Sequence, residues 1–243
     1  MAVRADDIGF GGLTLLQDTE TFCYGVDAVL LADYCKAAAS DTVLDLGSGN
    51  GAVALVVMGK YVPASVTGIE VQEDQVRLAR ESAGLNRLED KLHFLQGDVM
   101  EIRKLVPGES FDVVTCNPPY SESGRGLASA NAAAFIARHE TTAALADFVK
   151  AAAYALKPGG RFVIVHRPSR LPDIFECCRA CGLEPKRMKL VLPRPGAAPN
   201  IILVSAVKGG GKELLVDPSL CVRGEDGVYS DDLQRIYGRI PEE

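Results

Sequence analysis

The chain has 243 residues, 47% of them hydrophobic and 24% charged, and a net charge of −6, a balance that fits a soluble globular protein able to bury one large α/β core. It excludes a disordered chain, and no stretch reads as an export signal or is apolar enough to span a bilayer, the longest uncharged apolar run lying near residues 52–58. Seven cysteines without an export signal predict reduced thiols and a cytoplasmic protein.

Residues 9–34 read as a short β-containing entry followed by a helix from about Asp27. The apolar run 43–46 is a strand that ends in Gly47-Ser48-Gly49-Asn50-Gly51, after which 52–58 opens a helix. A strand at 66–69 ends in Glu70, and 73–85 has the charge-rich pattern of a helix with one exposed face. Strands at 92–96 and 111–116 lead into Gly97-Asp98 and Asn117, a helix at 145–156 stops at Pro158-Gly159-Gly160, and 162–166 is the fifth strand. Such alternation implies right-handed crossovers and a parallel sheet with helices on both faces. The runs 188–192 and 201–207 are joined by too few residues for a helical crossover, so they should pair antiparallel. The expected fold class is therefore α/β, with a seven-stranded sheet of five parallel strands and then a hairpin. We expect an entry segment at 1–40, a main domain at 41–208 and, beyond Gly209-Gly210-Gly211, a tail at 209–243 packed on that domain.

In a doubly wound sheet, ligands bind at the carboxyl ends of the strands, beside the point where strand order reverses. Gly47, Gly49 and Gly51, with Ser48 among them, can take positive φ and let a ligand approach the backbone. Glu70, 19 residues after Gly51, can accept from two ribose hydroxyls. Asp45, Glu70 and Asp98 (Val99 beside it) stand at three successive strand ends. Each acid alone also suits a solvated loop or a helix cap, whereas the three together point to one polar ligand. A glycine turn followed by a strand-end acid also serves nicotinamide dinucleotides, so an oxidoreductase remains an alternative here.

Asn117-Pro118-Pro119-Tyr120 occupies the fourth strand end. Each proline restrains the residue before it and removes a donor, leaving carbonyl oxygens and the Asn117 amide oxygen to accept from one amino group. Two such acceptors favour a pyramidal nitrogen whose lone pair can attack, and Tyr120 can stack on a planar base. The same four residues also suit a plain turn.

With its leading Asp45, the Asp-Leu-Gly-Ser-Gly-Asn-Gly turn resembles the cofactor motif of class I methyltransferases, as does the strand layout from about Asp41 to Lys208. The stretches 24–32, 137–140, 166–168 and 226–230, with Ile236-Tyr237, resemble the bacterial valine-tRNA adenine-N6 methyltransferase family over nearly the whole chain. That resemblance implies S-adenosylmethionine as methyl donor and adenine N6 in tRNA as acceptor. It implies that Asp98, with Val99, receives the cofactor's adenine amine, that Asn117 borders the cofactor, and that Tyr24 and Asp27 close the site from the N-terminal side. It further implies that Arg138 and His139 lie near the substrate entrance. His139 can shuttle the product proton, and Arg138-His139-Glu140 also reads as an ion-paired helix start.

The acceptor stays open, since families acting on DNA or RNA bases or on a protein glutamine share versions of the Pro-Pro motif; a small molecule, or a non-catalytic RNA-binding module, are further alternatives. Net acidity argues against a wholly basic nucleic-acid surface. The stretch from Lys157 to Lys212, however, holds 11 basic against 3 acidic residues and is the candidate tRNA face. Cys177, Cys178 and Cys181 have the spacing of half a zinc site, but no second pair completes it, so small helix residues and no metal are expected.

Overall fold

The computed structural model describes residues 2–20, 23–118 and 143–241; Pro119, Tyr120, Arg138 and His139 lie outside these. An antiparallel hairpin of β1 (Val3–Asp7) and β2 (Thr14–Asp18) precedes α1 (Val26–Cys35). There follow β3 (Thr42–Leu46), α2 (Ala52–Tyr61), β4 (Ser65–Glu70), α3 (Glu73–Leu85), β5 (Leu92–Gln96), the short α4 (Ile102–Leu105) and β6 (Phe111–Cys116). The chain then forms α5 (Leu145–Ala155), β7 (Leu156–His166), α6 (Leu171–Ala180), β8 (Leu183–Leu192), β9 (Ile201–Lys208), β10 (Leu215–Cys221) and α7 (Asp231–Ile236).

One large sheet runs in the order β10-β8-β9-β7-β6-β3-β4-β5. All its pairings are parallel except those of β9, which is antiparallel to both β7 and β8. The seven expected strands are present in the expected sense, and β10 adds an eighth at the edge where sequence suggested only a tail. Of its residues only Leu220 is buried, while Leu215 and Val216 are exposed, so the apolar alternation that announces a strand is missing. Strand order reverses between β3 and β6, which makes that gap the switch point.

Two apolar layers sandwich the sheet. On one face α1 and α2 are buried along most of their length, with Val29, Leu31, Leu55 and Val56 fully enclosed, and α3 adds Val76, Ala79 and Ala83. On the other, α5 contributes Phe148, Val149 and Ala152, and α6 contributes Ile174 and Cys178. The cysteines of the described chain are free thiols, and Cys178 is a buried core residue on α6.

A lone two-stranded hairpin is marginal in water, and β2 is held by side chains of the main domain. The amide of Asn86 on the C-cap of α3 accepts from Thr14 N at 2.8 Å and donates to Thr14 O at 2.7 Å, while Leu16 N donates to Ser82 Oγ at 2.9 Å. Asn50, inside the glycine turn, donates to Leu16 O at 3.0 Å. Asn50 thereby ties β2 to the glycine turn at the carboxyl end of the sheet, while Asn86, which caps α3 shortly before β5 begins, holds it toward the amino end.

Candidate functional site

The glycine turn is built by backbone bonds and by the absence of side chains. Gly47 N and Ser48 N both donate to Ile69 O, and Gly51 N closes the turn onto Ser48 O. Gly47, Gly49 and Gly51 all have positive φ, which L-residues with side chains rarely adopt. A Cβ on Gly51 would stand 2.7 Å from the Phe94 ring, so this glycine is required by packing; a Cβ on Gly49 would meet nothing within 4 Å, so its open side faces unfilled space. Gly68 on β4 leaves room for both Phe94 and Ser48 Oγ, each under 3 Å from where its Cβ would lie.

The strand-end acids surround this turn. Glu70 is 6% exposed and engages both oxygens, accepting from Gly49 N and from Gln72 N at 3.0 Å each. It thus links the glycine turn to the loop after β4, and its oxygens retain lone pairs for further donors. Asp45 is 1% exposed and accepts from Thr115 Oγ1 at 2.7 Å. Its pKa is pushed up to about 7 by burial, against the Thr115 hydrogen bond and with the help of the Glu70 charge. Asp45 Oδ2 and Ser48 Oγ are buried and have no hydrogen-bond partner among the described residues. Asp98 caps the turn before α4, accepting from Met100 N at 2.9 Å, with Val99 buried beside it.

β6 lies next to β3 with Cys116 opposite Leu46, so Asn117 and Gly47 leave neighbouring strands at the same level. Pro118 is buried. In β7, Ile164 pairs with Cys116, which brings His166 level with Pro118. Burial, then the charges of Arg170 and Arg167, hold the His166 pKa down to about 4, and its Nδ1 accepts from Arg167 N at 2.8 Å. A neutral imidazole therefore borders the Asn117 strand end at physiological pH.

Tyr24 is half-buried before α1, its N–H donating to Gln17 Oε1 at 2.9 Å; the Gln17 amide also reaches Asp6. Asp27 lies in the first turn of α1. The described chain thus brings Asp45, the glycine turn, Glu70, Asp98 and Asn117 to one edge, with Tyr24 and Asp27 on the attached entry segment. Sequence reasoning missed Gln17, Asn50 and Thr115, which position other site residues. Asn50 lies within the quoted turn, but nothing in its spacing reveals a partner at Leu16.

The donor set fits a ligand rich in hydroxyl and amino donors and bearing positive charge. It offers two unsatisfied buried oxygens, an open glycine backbone and carboxylates at three strand ends. Among the described residues, no group of three or more His, Cys, Asp or Glu could hold a metal ion, and no helix is long and apolar enough to cross a membrane.

The methyltransferase small domain model matches residues 13–176. A relative from Porphyromonas gingivalis, a tRNA1(Val) (adenine(37)-N6)-methyltransferase, is 28% identical over 74% of this chain and 72% of its own. A predicted O-methyltransferase from Agrobacterium tumefaciens shares the fold with TM-score 0.71 and 23% identity, over 87% of this chain and 95% of that one. Geranyl diphosphate C-methyltransferase from Streptomyces coelicolor, solved with S-adenosyl-L-homocysteine, aligns with TM-score 0.56 at 14% identity, over 75% of this chain and 80% of its own.

Proposed function

The chain belongs to the methyltransferase small domain family, and from that premise we propose that it methylates an exocyclic amine, specifically N6 of an adenine in tRNA. It is an S-adenosylmethionine-dependent methyltransferase. The observation that carries the amine reading is Asn117, set at the end of β6 directly beside the glycine turn and followed by two prolines. The name of the Porphyromonas gingivalis relative supports adenine N6 in tRNA as the acceptor.

S-adenosylmethionine, when bound, supplies a methyl group made electrophilic by its sulfonium. Glu70 would receive the ribose hydroxyls without releasing Gly49 and Gln72, and Asp98 with Val99 would hold the adenine. Asp45, Gly47, Ser48, Gly49 and Gly51 would line the turn beneath, with Tyr24 and Asp27 closing the N-terminal side.

An adenine amine is a weak nucleophile because its lone pair is shared with the ring. The Asn117 side-chain oxygen and the Pro118 carbonyl would each accept one of its hydrogens. As nitrogen turns pyramidal and gains positive charge these bonds strengthen, which lowers the barrier without a strong base. Tyr120 would fix the plane of the base, with Pro119 stiffening the loop between them, and Arg138 and His139 would lie near the substrate entrance.

Incubation with methyl-labelled S-adenosylmethionine and separate fractions of undermodified tRNA, DNA and protein tests the acceptor. Label recovered as N6-methyladenosine in tRNA is expected; label confined to protein or DNA would overturn the tRNA reading.

A further inference from the structure

The basic stretch between Lys157 and Lys212 does not form one open face. Lys157 pairs with Asp112 at 2.8 Å, Arg161 with Asp41, Arg179 with Glu184, Arg187 with Asp217 and Lys208 with Glu109. Most of these pairs lie toward the amino end of the sheet, where β7 and β8 begin and β9 ends. Three other arginines behave differently. Arg194, Arg223 and Arg239 are exposed, and none makes an ion pair among the described residues.

Arg194 and Arg223 stand at the site's end of the molecule, and Arg239 joins Arg223 through the Tyr229 ring that both approach. β8 runs in the same sense as β7, and β10 is parallel to β8 with Cys221 opposite Leu192. The loops 193–200 and 222–230 therefore leave the same edge as Gly47 and Asn117. Between them opens a cleft of about 400 Å³ lined by Arg194, Gly196, Gly224 and Glu225. The chain then crosses the last turn of α2, where Ile236 O accepts from Lys60 Nζ at 2.9 Å, and meets the entry segment, where Tyr237 stacks on Phe10. Tyr229 stacks on Tyr237, with Arg223 4.9 Å from the Tyr229 ring and Arg239 4.7 Å from the Tyr237 ring. Arg239 and Tyr229 are also near enough to Tyr24 to act on its hydroxyl.

An aromatic partner orients a guanidinium without neutralising it, whereas a carboxylate does both. We propose that the 193–200 loop and the 222–239 segment form one RNA-docking platform, on which Arg194, Arg223 and Arg239 hold backbone phosphates beside the methylation site. This rests on the tRNA reading above. β8 and β10 stand three and four strand spacings from β6, about 14 and 19 Å at ~4.8 Å each. At ~3.4 Å per stacked nucleotide, the platform grips backbone about four to six nucleotides from the reacting base. Glu225 is the acid within the cleft; Asp226 is occupied in capping Val228 N, and on the entry hairpin, where Asp6 and Asp7 also act on Tyr24, Asp6 pairs with Arg4 and Asp7 accepts from Gly9 N.

The test is tRNA binding by fluorescence anisotropy over a range of salt for wild type, R194Q/R223Q/R239Q and its lysine counterpart R194K/R223K/R239K. The glutamine triple variant should bind tRNA at least tenfold more weakly, with a salt slope reduced by about two to three. Its S-adenosylmethionine affinity should be unchanged, and its methylation should show raised KM for tRNA with kcat kept. The lysine variant, which retains charge, should recover most of the affinity, and K157Q/R179Q at the amino end should bind as wild type. Wild-type affinity and salt slope in the glutamine triple variant would overturn the platform alone. Wild-type protein that neither binds nor methylates tRNA would overturn the tRNA reading and the platform with it.

Discussion

On the β3–β4–β5 side of the switch point, the acids at the strand ends are engaged by the fold: Asp45 by Thr115, Glu70 by Gly49 and Gln72, Asp98 by Met100. On the β8–β10 side, the loops carry arginines that meet aromatic rings or solvent. The first half presents oxygens already oriented by bonds within the fold, which suits a small cationic ligand. The second offers positive charge that is held in place and not cancelled, which suits a polyanion. Asn117, at the end of β6, stands between the two halves. A variant on one side should therefore change one binding constant and leave the other alone.

The largest expected effect lies at the boundary. Asn117→Ala should lower the methyl-transfer rate by about 10²–10³ while leaving S-adenosylmethionine and tRNA affinities within a few-fold. Single-turnover kinetics alongside calorimetric titration measure both, and a wild-type rate would remove the proposed amine-holding role. Next in size, Glu70→Ala frees two backbone donors and removes the ribose acceptor, so S-adenosylmethionine should bind roughly 10- to 100-fold more weakly with tRNA affinity unchanged. Equal losses of both affinities would show that the two halves are not separate.

The glycine turn allows a finer cut. Gly51→Ala combines positive φ with a 2.7 Å approach to Phe94, and should cost about 2–4 kcal/mol of stability, seen as a fall in Tm. Gly49→Ala has positive φ but open space around its Cβ, so it should cost only ~1 kcal/mol yet weaken the cofactor. If both variants lost equal stability, the division between packing and ligand space would fail.

A further effect is one of pH, and it is felt only without cofactor. Folded Asp45 has its pKa raised to about 7, whereas an unfolded aspartate titrates near ~4. Between these values the folded protein binds the extra proton, so stability declines as pH rises, and the penalty is complete above pH ~7. Asp45→Asn does not titrate and should be the more stable protein at pH 8 without cofactor, by up to roughly 4 kcal/mol, with the gap closing toward pH 4. Thermal denaturation across this range measures it, and a gap that widened toward low pH would contradict the assignment.

The main sheet was legible because its strands are apolar runs ending in glycine or acid, and a strand-end position follows from topology without knowledge of any contact. Asp45, Glu70, Asp98 and Asn117 could therefore be placed at one edge from sequence. β10 and α7 were not legible, since each buries one residue of its own, Leu220 and Leu233, too little to set a period. The ties that hold the entry segment join Leu16 to Asn50 and Thr14 to Asn86, far apart in sequence and chosen by shape. Charge misled in a related way. The basic stretch is continuous in sequence, yet strands carry its members to opposite ends of the sheet, and toward the amino end several are paired with acids, whereas Arg194 at the other end is not, among the described residues. Arg223 and Arg239 lie outside it, brought back by a tail that sequence left without elements.

The most direct test of the central claim is nucleoside analysis of the host's tRNA with and without this protein. N6-methyladenosine should disappear from one tRNA when the protein is removed, and return with the wild-type chain but not with Asn117→Ala. Unchanged methyladenosine in tRNA lacking the protein would contradict the account.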